Sequence, residues 1–226
     1  MAQITLNHLT AGGQTSATSA TTASISPAAQ QIVIVSVFGR QGGATENIPT
    51  IAGAGMTWTQ INTITADANH CRITLFRGVS SSPSSGAFTI DFAGQSQTMI
   101  LWSIDQFGGC DISGTNGANA IVQSVVNNIE GGTASGLTVT LSAFSNLNNA
   151  TFGAIGLTSG AVAVTKGANF TEITNTSNNN GDFEAQWANN NQTSVPWTWA
   201  SADHGGVTAA AIELKAQPAT GFFAFL

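Results

Sequence analysis

With 226 residues, the chain has room for one large all-β domain or two small ones. Hydrophobic residues make up 42%, enough for a real core, so a globally disordered chain is excluded. Only 7% are charged, the net charge is −6, and the five basic residues Arg40, Arg72, Arg77, Lys166 and Lys215 are scattered, so neither a phosphate backbone nor an anionic membrane finds a cationic surface here.

The exposed surface must be built largely from Ser, Thr, Asn, Gln and Gly, with little self-repulsion to hold neighbouring molecules apart. One expectation is that much of it is covered in an assembly. The other is that a β-protein simply tolerates a polar, uncharged surface.

In chain order, the first ten residues carry no basic n-region and no apolar h-region. A conventional secretory signal is not expected, and synthesis in the cytoplasm is. Residues 1–24 read as an N-terminal arm and first strand, with the Thr/Ser/Ala/Gly-rich stretch 10–23 as a loose arm. Residues 31–38 form a nearly continuous apolar run, the pattern of a central strand covered on both faces.

Strict alternation follows. Ile73 and Leu75 share one face of a strand over 72–77; Phe88, Ile90 and Phe92 share one over 87–92; Leu137, Val139 and Leu141 share one over 137–141. Residues 117–129 come nearest to a helical rhythm, but Val125, Val126, Asn127 and Asn128 argue against a helix. Gly and Asn clusters punctuate the rest, leaving about twelve candidate strands. No apolar run approaches the roughly 18 residues needed to span a bilayer.

The second half echoes the first. Gly55-Met-Thr-Trp-Thr59 returns as Gly167-Ala-Asn-Phe-Thr171, residues 72–76 are answered by 183–187, 87–92 by 195–200, and 99–107 by 207–215. The offset of about 110 residues is too long for a solenoid. The expected fold is all-β: a two-layer antiparallel β-sandwich or jelly roll built from two pseudo-repeated halves, about 20–107 and 135–215. Residues 25–216 read as one domain with strands of both halves in shared sheets. Residues 217–226 read as an apolar tail.

Catalytic signatures are missing: no nucleophile elbow, P-loop, dinucleotide fingerprint, zinc-protease motif or calcium loop occurs. His8, His70 and His204 are far apart, and Asp203-His204 reads as a turn-capping pair. Cys71 and Cys110 lack zinc-ligand spacing and read as buried or half-buried thiols, with a disulfide left open. No catalytic, cofactor-binding or metal-binding residue is assigned, and no enzymatic activity is expected. Two apolar groups remain. Trp197 and Trp199 share a strand face; exposed, they would form a sugar platform, and buried, they would be core. The repeat favours core, since Trp197 and Trp199 lie in the segment that answers the strand carrying Phe88. Phe222, Phe223, Phe225 and Leu226 crowd the chain end, where burial of each is worth roughly 1.5–3 kcal/mol. They either tuck into their own sandwich or make intersubunit contacts.

The order of these features resembles that of a class of β-sandwich structural proteins of tailed bacteriophages. Its pattern is an apolar strand (31–38), Gly-x-x-Trp-Thr (55–59), an Arg-flanked alternating strand (72–77), a Gly-x-Phe-Thr-Ile strand (86–90) and an apolar strand ending in Gly-Gly (99–110). The likeness covers most of residues 20–216. It implies a virion protein of the capsid decoration (cement) or tail-fibre type, a homo-oligomer (trimer or dimer) contacting the major capsid protein, with no cofactor. The alternative is a carbohydrate-binding or receptor-binding tail module with a glycan partner.

Overall fold

The computed structural model describes residues 3–158, 162–178, 180–200 and 204–218, and among these it forms sixteen strands. The first half supplies β1 (Thr5–Ala17), β2 (Ser19–Thr21), β3 (Ile32–Arg40), β4 (Thr50–Ala52), β5 (Trp58–Ala66), β6 (Cys71–Gly78), β7 (Thr89–Asp91) and β8 (Gln97–Gly108). A short 3-10 segment, Thr115–Ala120, leads into the second half. That half supplies β9 (Ile121–Ile129), β10 (Gly136–Thr140), β11 (Ala150–Leu157), β12 (Thr165–Lys166), β13 (Thr171–Asn178), β14 (Gly181–Ala188), β15 (Ser194–Thr198) and β16 (Val207–Leu214).

Each half builds a five-stranded and a three-stranded antiparallel sheet. The first half has the orders β1-β8-β3-β6-β5 and β2-β7-β4; the second has β9-β16-β11-β14-β13 and β10-β15-β12. Adding eight to each label of the first half gives the second. The all-β sandwich and its duplication therefore stand as expected, and each half has jelly-roll strand order. The strands of the two halves are not shared between sheets, however. Period-two alternation tells which way a side chain points, not which strand lies beside it.

The halves meet through their large sheets, giving four layers. β1 lies over β13, β8 over β14, β3 over β11, β6 over β16 and β5 over β9. Exchanging the halves maps these contacts onto one another, as in an isologous dimer joined into one chain. β3 shows why its sequence is apolar throughout. Ile32, Ile34 and Phe38 enter the central core with Phe152, Phe183 and Ile212. Val33, Val35 and Val37 enter the first sandwich with Phe88, Ile90 and Phe92. A third core, with Val195, Trp197 and Val207, fills the second sandwich.

Two local features fix the halves against each other. A Cβ at Gly156 would lie 2.1 Å from the Phe38 ring, so glycine lets that ring seat across the central core. Asn116, in the left-handed region at φ 51°, anchors the connection: its Oδ1 accepts from the Val79 amide at 3.0 Å and its Nδ2 donates to the Thr57 carbonyl at 2.9 Å.

Two further expectations are corrected. The Thr/Ser-rich N-terminal stretch is no loose arm, because residues 5–17 pair along β8 as the outer strand of the first large sheet. The repeat alignment of 72–76 with 183–187 is also one residue out. Both β5 and β13 carry a bulge, at Gln60/Asn62 and Glu172/Thr174, and Gln60 opposes Phe76 where Glu172 opposes Gln186. Phe76 is thus the counterpart of Gln186, not Trp187. A one-residue slip in a strand reverses every side chain.

Candidate functional site

Trp197 and Trp199 sit on β15 and just after it, where alternation directs both rings inward. They are 1% and 5% exposed. A sugar platform needs open ring faces, so the buried rings belong to the core, the reading the repeat favoured, and not to the alternative platform. The Trp197 ring stands over Gly153, where a Cβ would come within 2.9 Å of the indole, and its Nε1–H donates to the Glu184 carboxyl. Phe222, Phe223, Phe225 and Leu226 lie outside the described residues, as does Asp203. His204 is described: its backbone bridges Gly132, and its buried ring meets Trp199 edge-on with centroids 6.0 Å apart. Cys71 and Cys110 are free, buried thiols, and burial pushes both well above the ordinary thiol range. Neither is a nucleophile at neutral pH.

Sequence reading misses the fate of the acidic residues. Of eleven, Glu46, Asp105, Asp111, Asp182, Glu184 and Glu213 are buried. Glu184 lies on the β14 face turned toward the small sheet, beside Trp197. Burial pushes its carboxyl up to about 8, against the Trp197 hydrogen bond that favours the anion. Glu46 is raised well above the usual range by burial, with Arg72 pulling the other way. Glu213 is held between Asn149 Nδ2 at 2.5 Å and Gln123 Nε2 at 2.6 Å. Along β14 the alternating polar positions resemble a solvent face; the small sheet covering them is not legible in the strand itself.

One cluster has the residue types of a hydrolase. Asp105 accepts from Ser103 Oγ at 2.7 Å, and its other oxygen lies 2.7 Å from His8 Nδ1. The order is wrong for nucleophilic catalysis, in which histidine must bridge carboxylate and hydroxyl. Here the carboxylate bridges the other two, so the histidine does not touch the serine. Burial raises the Asp105 carboxyl, with the His8 and Ser103 contacts opposing. The cluster ties β1 to β8 at the central core.

The surface offers shallow features. An open cleft of about 560 Å³ beside β12 and β15 is lined by Lys166, Glu172, Pro196 and Thr198, with the buried Trp197 behind. Among the described residues no group of His, Cys, Asp or Glu could hold a metal ion, and no helix is long and apolar enough to cross a membrane.

The two seams where the large sheets meet differ. At the β5/β9 seam, Asn62 Nδ2 donates to Ser124 Oγ at 3.1 Å and Asn128 Nδ2 donates to the Thr65 carbonyl at 2.9 Å. At the symmetry-equivalent β1/β13 seam no hydrogen bond joins the described residues of the two strands. A polar cleft of about 310 Å³ opens there, lined by Gly13, Gln14, Thr15, Leu101, Thr176 and Ser177. Set against protein-family models, curated proteins and solved structures, the chain matches none of them.

Proposed function

We propose that the protein is a virion structural component, a capsid decoration (cement) protein whose copies bridge subunits of a phage head. The observation that carries this reading is the distribution of charge. A chain with only 7% charged residues buries six of its eleven acidic residues, leaving an outer surface in which uncharged polar side chains far outnumber charges such as Asp91, Glu130 and Glu172. A permanently covered interface is depleted in charge, whereas a freely diffusing protein keeps charges of both signs outside. The four-layer build supports a mechanical role. Three cores stacked through two sandwiches make a stiff block, suited to spanning a joint between shell subunits and raising the barrier to its opening.

The partners under this reading are other copies of the chain and the major capsid protein, and the location is the virion. The test adds purified protein to undecorated heads of the virus that encodes it and follows bound copies and the temperature of DNA release. Saturable binding with a rise in the release temperature is expected. Heads that bind nothing, or bind without any such rise, overturn the reading.

A further inference from the structure

We infer that the free edge of β1 is a self-association site, where β1 of a second copy adds antiparallel and continues the five-stranded sheet across a two-fold axis. This rests on the proposed assembly role and specifies which surface carries contact between copies.

β1 is the outer strand of its sheet and, at thirteen residues, the longest described strand. In an antiparallel strand alternate residues turn their N–H and C=O groups away from the one neighbour they have, so about half of β1 offers unpaired backbone groups. Such an edge recruits another strand unless it is blunted by charge, proline or a cover. Between Thr5 and Ala17 there is no Asp, Glu, Lys, Arg or proline; His8 is engaged by Asp105, and the bulge between His8 and Thr10 leaves two segments to pair, residues 5–8 before it and 10–17 after it.

The other large-sheet edges are shorter, at eight or nine residues, and each is partly engaged or charged. The Thr57 carbonyl just before β5 and the Thr65 carbonyl within it are taken by Asn116 and Asn128. β9 is tied to the small sheet by Gln123, which both accepts from and donates to the Ser142 backbone, and by Asn127 on the Thr138 carbonyl. β13 carries Glu172, and the small-sheet edges β2, β4, β10 and β12 run five residues or fewer. The stitched β5/β9 seam and the open β1/β13 seam are equivalent under exchange of the halves, so duplication alone does not account for the difference.

A second copy fits this edge because the segment after the bulge, residues 10–17, carries no charged side chain, so two copies pair there without setting like charges opposite each other. Identical edges meeting about a dyad also close the assembly at two. A strand of this length spans roughly 44 Å, and with the second sheet about 10 Å behind it the flank offers on the order of 700 Å² per copy, close to a standard interface.

The test is sedimentation velocity on the full chain across a concentration series, beside two edge variants. Asn7 and Gln14 are exposed β1 residues, so Asn7→Lys/Gln14→Lys and Asn7→Glu/Gln14→Glu each line the edge with one sign of charge. The native chain is expected to dimerise, and each variant alone to dissociate more than about 100-fold more readily. An equimolar mixture of the two is expected to restore a dimer, which misfolding could not do. A chain that stays monomeric throughout, or a dimer that neither variant weakens, overturns the inference. The second outcome places the contact elsewhere, with the 219–226 segment next in line, and it leaves binding to heads as a separate measurement.

Discussion

A carboxyl group enclosed by apolar side chains keeps its proton when the cost of stripping water from the anion exceeds what its partners return. Glu184 meets that condition: one oxygen takes the Trp197 N–H and the group sits at about 8. In the unfolded chain the same group titrates near 4.5. Between those values the folded state holds a proton that the unfolded state releases, so stability is fully present below about pH 4.5 and is lost as pH rises through about 8. Each unit is worth at most about 1.4 kcal/mol. Glu184→Gln keeps the acceptor for Trp197 and removes the titration. Thermal scans are expected to show the variant level with the parent near pH 5 and more stable near pH 9. Parallel curves over that range would remove the acid from the account. Gly156 tests packing at the same scale. Gly156→Ala forces a methyl into the Phe38 ring and should cost about 1–3 kcal/mol in chemical denaturation. In a Phe38→Ala background the same change should cost much less, because the two side chains share one space.

Individual elements were largely legible in the sequence. The inward rows Phe88, Ile90, Phe92 and Leu137, Val139, Leu141 are buried as their alternation requires. The unbroken run in β3 did mean burial on both sides, and residues 121–129 form a strand rather than a helix. Partners were harder to read. β1 is polar because its outer edge has no neighbour among the described residues and its faces are only half covered, so its composition resembles an arm. The buried acids were hidden for the opposite reason: β14 alternates as if one face met water, while the small sheet that covers it comes from distant residues. The connection between halves was equally opaque, since Asn116 acts through contacts with β5 and β6. Asn116→Ala removes the acceptor for the Val79 amide and leaves alanine at positive φ. A loss of about 2–3 kcal/mol is expected by urea denaturation. Asn116→Gly relieves the backbone and should recover a part of it, whereas equal losses would mean the side-chain contacts carry the whole effect.

At the scale of the molecule, the decisive feature is that the largest core belongs to neither half. Ile34, Phe38, Leu101 and Phe107 from one sandwich interdigitate with Phe152, Phe183, Ile212 and Leu214 from the other, and Phe107 meets Phe152 edge-on at 5.8 Å. Separating the sandwiches would open this layer to water at roughly 25 cal/mol per Å² of apolar surface, a cost that neither small core offsets. Two independent domains joined by a linker would melt one after the other; these halves should melt together. Calorimetry is expected to give one transition with equal calorimetric and van't Hoff enthalpies. A polar change in the shared layer, Ala154→Asp, should lower that one transition rather than split it, because the buried charge weakens both sandwiches at once. Two resolved transitions in the parent protein would show that each half stands alone. The pseudo-dyad would then be an arrangement of neighbours rather than the source of stiffness that a load-sharing role in a shell requires.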